Sequence, residues 1–250
     1  PLYVVRSGST PADGTAPLLV FAYGAYAISR PVRFSIPRLS LLDRGVVYAI
    51  AHVRGGGEMG KLWYEGGKLA AKMNTFTDLI DATRYLTDAG YGDPLRVAVR
   101  GASAGGLTVG AAINLDPEMF RAAVAEVPFV DVTNTMADET LPLTVVEWEE
   151  WGNPNVEEEY EWIRAYCPYE NITTGDYPAL LITAGLNDPR VQYWEPAKWT
   201  AKLRALPTGD RRIFLKTEMG AGHFARSGRY DVWRDEAFIL AFILDEITDE

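Results

Sequence analysis

The sequence predicts an α/β fold, an open, mostly parallel twisted sheet flanked by helices. Three observations carry the prediction. Strand-like and helix-like segments alternate along most of the chain. Several of the strand segments are continuously apolar, as strands buried on both faces are. A length of 250 residues with 48% hydrophobic residues suffices for one sizeable core, so residues 1–250 are expected to form one domain.

The chain opens on "PLYVVRSG", which reads as a strand with no initiating Met and no leading turn; a fragment of a longer protein is expected, with any missing domain upstream. "APLLVFAYG" and "GVVYAIAHV" are apolar runs of the parallel-sheet kind. "NTFTDLIDATRYLTDAG" places Phe76, Leu79, Ile80, Thr83 and Leu86 at helical spacing, with Asn74 or Thr75 as the cap and Gly90 as the stop. After it, "LRVAVRG", "AAVAEV", "PALLITAG" and "RRIFLKTE" read as strands, and "AGGLTVGAAINL", "WEPAKWTAKLRAL" and "DVWRDEAFILAFILDEI" as helices. Residues from about 131 to 177 break the rhythm with an acidic, aromatic and irregular stretch. An insertion at the C-terminal edge of a sheet is where a substrate pocket is built.

A formal charge of −10 argues against a nucleic-acid surface and favours cationic partners if it gathers in a cleft. Cys167 is the sole cysteine, so no internal disulfide forms, and neither a signal pattern nor a membrane-length apolar run is present. A cytoplasmic protein is expected. Asn171-Ile172-Thr173 matches a glycosylation acceptor, which without a secretory signal reads as chance.

"RGASAGG" lies between a predicted strand and a predicted helix, and Gly101-Ala102-Ser103-Ala104-Gly105 fits G-x-S-x-G, the nucleophile elbow. Small flanking residues permit a turn tight enough to push the serine hydroxyl out of the sheet, with helix N-terminal N–H groups behind it. A plain turn is the competing reading. Of the two histidines, His52 ends an early strand and reads as a structural hydrogen-bonding residue; His223, in a glycine-containing loop before the last helix, is the candidate base. The acid should lie between Ser103 and His223 in the chain. Asp116, Asp131, Asp138, Asp176, Asp188 and Asp210 qualify by order, but only Asp188 directly follows a buried strand; Asp176 precedes that strand and belongs at its opposite end.

"FAYGAY", "AIAHVRGGGEMGKLWYEGGKL", "GASAGG", "PLTVVEWEEWGNP", "DYPALLITAGLNDPRVQYWEPAKW" and "GAGHFARSGRYD" together resemble the catalytic domain of the prolyl oligopeptidase family of serine peptidases, in its branch for basic residues. The resemblance covers nearly the whole chain. It implies an α/β-hydrolase fold, cleavage of short peptides after Arg or Lys at P1, and Ser103, Asp188 and His223 as the triad. It further implies Tyr23 as an oxyanion donor beside the N–H of Ala104, Glu147 and Glu149 as an acidic pair for the P1 side chain, and Arg190 as a substrate-backbone ligand. Two carboxylates on a partly enclosed wall would satisfy a planar guanidinium fork. The competing reading of "EWEE" is a solvated acidic face. The family's β-propeller, which screens the active site, has no counterpart in these residues and is expected elsewhere in the same protein.

No metal or organic cofactor is required by this chemistry, and the sequence contains no zinc-ligand cluster. Among rival readings, Gly55-Gly56-Gly57-Glu58-Met59-Gly60 satisfies G-x-G-x-x-G, with Asp78 and Asp81 farther on, which imitates a dinucleotide fingerprint; yet more glycines follow where the phosphate-binding helix should begin. The same residues also admit a carboxylesterase or a differently selective peptidase of the family with this triad, a fragment inactive without its propeller, and a silent binding module.

Overall fold

The computed structural model describes residues 1–223 and 228–248. Among the described residues seven strands form one sheet: β1 (Leu2–Val5), β2 (Leu18–Ala22), β3 (Val47–Ala51), β4 (Val97–Ala102), β5 (Ala122–Glu126), β6 (Ala179–Gly185) and β7 (Ile213–Glu218). Their spatial order is β1-β3-β2-β4-β5-β6-β7, with β1 antiparallel to β3 and every other neighbour parallel.

Alternation along the strands assigns each residue to a face. On β2, Leu18, Val20 and Ala22 join the core beneath α3 (Met73–Asp88), α4 (Ala104–Leu115) and α8 (Trp194–Ala205). Leu19 points the other way, into the core under α1 (Ile36–Leu42) and α9 (Arg229–Ile247). With both faces covered, neither can be polar, which is why the strands read as apolar runs. In α3 the expected stripe of Phe76, Leu79, Ile80, Thr83 and Leu86 is buried. The expected cap is corrected: the helix begins at Met73, while Asn74 donates to Gly66 O and Thr75 to Arg54 O, so both side chains bond outside the helix.

The irregular stretch expected around 131–177 is also corrected. It contains α5 (Val132–Ala137), α6 (Thr144–Trp151) and α7 (Glu157–Tyr166), whose buried Met136, Trp151, Ile163 and Tyr166 form a satellite core with Leu107 of α4. Helices this short carry too few turns for their apolar period to emerge from the sequence. One further short helix, α2 (Lys61–Glu65), follows the glycine run.

Candidate active site

Ser103 lies between β4 and α4 with φ 57° and ψ −119°, a strained conformation for a residue with a Cβ. The surroundings hold it there. Its N–H donates to Glu126 O at 2.8 Å, and its carbonyl accepts from Gly106 N at 2.8 Å and Phe129 N at 3.2 Å. A Cβ on Gly101 would stand 2.2 Å from Gly105 O, and one on Gly106 2.4 Å from Pro128 Cβ, so the turn closes only over glycine. Arg100 braces the strand: its guanidinium donates to Glu126 at 2.7 Å and to both oxygens of Glu236, on α9, at 2.7 and 2.8 Å. Sequence reading missed this brace, although an arginine inside an apolar strand was its signal.

The loops after β6 and β7 bring the other candidates to the same edge. His223 Nε2 is 3.0 Å from Ser103 Oγ, and Nδ1 is 2.7 Å from Asp188 Oδ2. Asp188 is 6% exposed, and its second oxygen accepts the main-chain N–H groups of Arg190 at 2.8 Å and Val191 at 3.0 Å. That carboxylate therefore favours a proton on Nδ1 and leaves Nε2 to accept from the serine.

Beside Ser103 opens a cavity of ≈ 240 Å³ lined by Tyr23, Ala104, Phe129, Glu147 and Arg190, among others. The N–H of Ala104 heads the twelve-residue helix α4, where unpaired N–H groups and the helix dipole favour a negative charge. Burial pushes the Tyr23 phenol above its usual range; Arg30 opposes that push, while Glu147 and Glu150 reinforce it.

The two carboxylates expected to receive the P1 side chain differ in their surroundings. Residues two apart on a helix point to different sides, so Glu147 of α6 lines the cavity while Glu149 is exposed and lies outside it. The neighbour of Glu147 is instead the buried Glu150, three residues on. Tyr26 joins the two, donating its hydroxyl to Glu147 Oε2 at 2.8 Å and its N–H to Glu150 Oε1 at 3.0 Å. Trp151 Nε1 donates to the same Glu147 oxygen at 2.9 Å, and Tyr64 OH to Glu150 Oε2 at 2.6 Å. Burial and Glu147 push the Tyr26 phenol far up, so it stays a neutral donor.

Deeper still, Lys72 is 1% exposed and donates to Gly24 O at 2.6 Å and Gly67 O at 3.1 Å, pinning the residue after Tyr23. Burial pulls its ammonium down to about 7, against the pull of Glu150. Glu195 secures the opposite wall: it accepts from Val130 N and Asp131 N at 2.9 Å and from Thr135 OH at 2.7 Å, between the cavity-lining Phe129 and Thr135. Burial pushes this carboxyl up to about 7.

The glycine run that imitated a dinucleotide fingerprint serves a different contact. A Cβ on Gly55 would lie 2.3 Å from Gly24 O, and one on Gly57 2.2 Å from Ala27 O, so these glycines admit the Tyr23 loop. The helix that follows, α2, has only five residues. His52 bonds Glu58 at 2.9 Å. Among the described residues no cluster of three metal-ligating side chains occurs, and no helix is long and apolar enough to cross a membrane.

Comparison with known proteins agrees with this architecture. Residues 32–250 match the model of the prolyl oligopeptidase family. "Protease 2" of Moraxella lacunata is 50% identical over 238 residues, covering 95% of this chain and 34% of that protein. "Dipeptidyl aminopeptidase BI" of Pseudoxanthomonas mexicana is 50% identical over 247 residues, covering 99% of this chain and 34% of that protein. Oligopeptidase B from Trypanosoma brucei, solved in a closed form with covalently bound antipain, superposes with a TM-score of 0.96 at 46% identity, over 98% of this chain and 35% of the other. The sheet and its helices are thus those of the α/β-hydrolase fold, and the chain spans about a third of the length of these relatives.

Proposed function

The chain belongs to the prolyl oligopeptidase family, and from that premise we propose that it is the catalytic portion of a serine peptidase that cleaves short peptides after Arg or Lys. The observation that carries this reading is the relay Ser103–His223–Asp188, with bonds of 3.0 and 2.7 Å, beside a cavity whose wall holds the Glu147 carboxylate.

In the mechanism, His223 Nε2 takes the Ser103 hydroxyl proton as Oγ attacks the scissile carbonyl carbon. Asp188 holds the imidazole orientation and stabilises the imidazolium. Tyr23 OH and Ala104 N–H donate to the oxyanion of the tetrahedral intermediate. Collapse breaks the C–N bond, and His223 delivers its proton to the leaving amine. Water, deprotonated by the same imidazole, then attacks the acyl-enzyme and releases the acid and Ser103. Glu147 Oε1 receives the P1 guanidinium or ammonium, and Arg190 at the cavity rim contacts the substrate backbone.

The rest of the protein, on this reading, includes the propeller that covers the cavity mouth. An apolar side chain left exposed at that mouth supports it: Ile28, which lines the cavity, is 40% exposed. A cytoplasmic location accords with a lone, buried Cys167.

The test is a paired assay of arginyl and prolyl peptide substrates on the full-length protein and its Ser103→Ala variant. Turnover of the arginyl peptide that Ser103→Ala abolishes is the expected result. Preference for proline overturns the specificity, and release of dipeptides from a free N-terminus alone, the activity named for the Pseudoxanthomonas relative, overturns the endopeptidase assignment.

A further inference from the structure

Arg30 takes no part in the relay, yet its guanidinium carbon lies 4.3 Å from the centroid of the Tyr23 ring and 5.5 Å from that of Phe21. Its Nε is buried without a hydrogen-bond partner. An N–H left so would be costly, and the negative faces of two aromatic rings are what compensates it. Residues from the glycine-rich loop hold the arginine in place. Its main-chain N–H donates to Glu58 Oε1 at 2.8 Å, and the same oxygen lies 2.9 Å from His52 Nδ1. A Cβ on Gly56 would fall 2.3 Å from Glu58 Oε2, so the glycine makes room for this carboxylate.

We propose that Arg30 is a positioning residue that acts through Tyr23, its stacked positive charge strengthening the phenol as a hydrogen-bond donor to the oxyanion, with the Glu58–His52 pair as its clamp. This rests on the reading of Tyr23 as an oxyanion donor. A cation against the ring face draws electron density from the phenolic oxygen, so the O–H shares its proton more readily with a negative acceptor. A neutral substrate carbonyl profits less than the oxyanion does, and the benefit therefore falls on the chemical step. Among the charges around Tyr23, Arg30 is the foremost that opposes burial, ahead of Arg190.

The experiment is steady-state kinetics on an arginyl anilide, with the full-length protein carrying Arg30→Met or Arg30→Lys, each with and without Tyr23→Phe. Loss of a whole oxyanion donor costs about 10²–10³ in kcat, so weakening one should cost less. Arg30→Met is expected to lower kcat about 3- to 10-fold, the scale of a cation–π contact, with KM within about twofold. Arg30→Lys recovers most of the loss, and in the Tyr23→Phe background Arg30→Met costs nothing more. An unchanged kcat, a loss confined to KM, or an equal loss without the Tyr23 hydroxyl overturns the proposal, the second outcome pointing to direct substrate binding. A kcat loss that follows a fall in Tm and is not rescued by lysine overturns it as well. Absence of Ser103-dependent turnover in the unmodified protein instead overturns the reading of the whole site, and the proposal with it.

Discussion

Tyr26 donates its phenolic hydrogen to Oε2 of Glu147 across 2.8 Å, tying the loop after β2 to α6. Because Trp151 Nε1 donates to the same oxygen, Oε1 is the atom that the proposed specificity assigns to a basic side chain. Glu147→Gln is therefore expected to lower kcat/KM for an arginyl peptide about 10- to 100-fold, the scale of a charge-assisted hydrogen bond, and to spare a small neutral ester. Glu149→Gln, on the exposed side of the helix, should change neither by more than about twofold. Parallel assays of both substrates check this, and equal loss on both in Glu147→Gln removes the pocket assignment.

In the proposed mechanism Tyr23→Phe deletes one oxyanion donor and keeps the ring. The expected outcome is a fall of about 10²–10³ in kcat with KM nearly constant, because the hydroxyl acts on the intermediate rather than on bound substrate. Steady-state kinetics on the arginyl anilide provide the measurement.

Asp188→Asn keeps the volume of the side chain while removing the charge that orders the His223 tautomer. A loss of about 10⁴ in kcat is expected, with little change in Tm. The two main-chain N–H groups that reach Oδ1 can still be accepted by an amide oxygen.

Glu195 supplies a pH test of the fold. Its folded pKa, about 7, lies above the ordinary 4.5, so the unfolded chain loses this proton first as pH rises. The stability it contributes is full below about pH 4.5, declines as pH rises and is lost through about pH 7, then stays level. Glu195→Gln mimics the protonated acid and does not titrate. The Tm of Glu195→Gln minus that of the unmodified protein should therefore climb between about pH 4.5 and 7 and level off above, as read by thermal unfolding across that range. A difference independent of pH contradicts the assignment.

What was legible in the sequence follows from periodicity and chain order. Leu18 to Ala22 announced a strand covered on both faces, and the stripe from Phe76 to Leu86 announced α3. The edge holding Ser103, Asp188 and His223 was readable because each follows a strand in a mostly parallel sheet, whose C-terminal ends converge. What remained hidden depends on the phase of short elements and on contacts between loops. An eight-residue helix does not reveal whether Glu149 or Glu150 shares the side of Glu147. Nor does local sequence disclose that Gly55 and Gly57 make room for Gly24 and Ala27, or that Arg30 folds onto Tyr23. Those pairings are created only when the loops meet above the sheet.

The central claim, that Ser103 is made nucleophilic by His223, is tested most directly by fluorophosphonate labelling of the full-length protein with the modified peptide located by mass spectrometry. Stoichiometric modification on Ser103, lost in Ser103→Ala and slowed by several orders of magnitude in His223→Ala, is the predicted result. An unlabelled Ser103 in folded protein, or labelling at an undiminished rate without the imidazole, contradicts it.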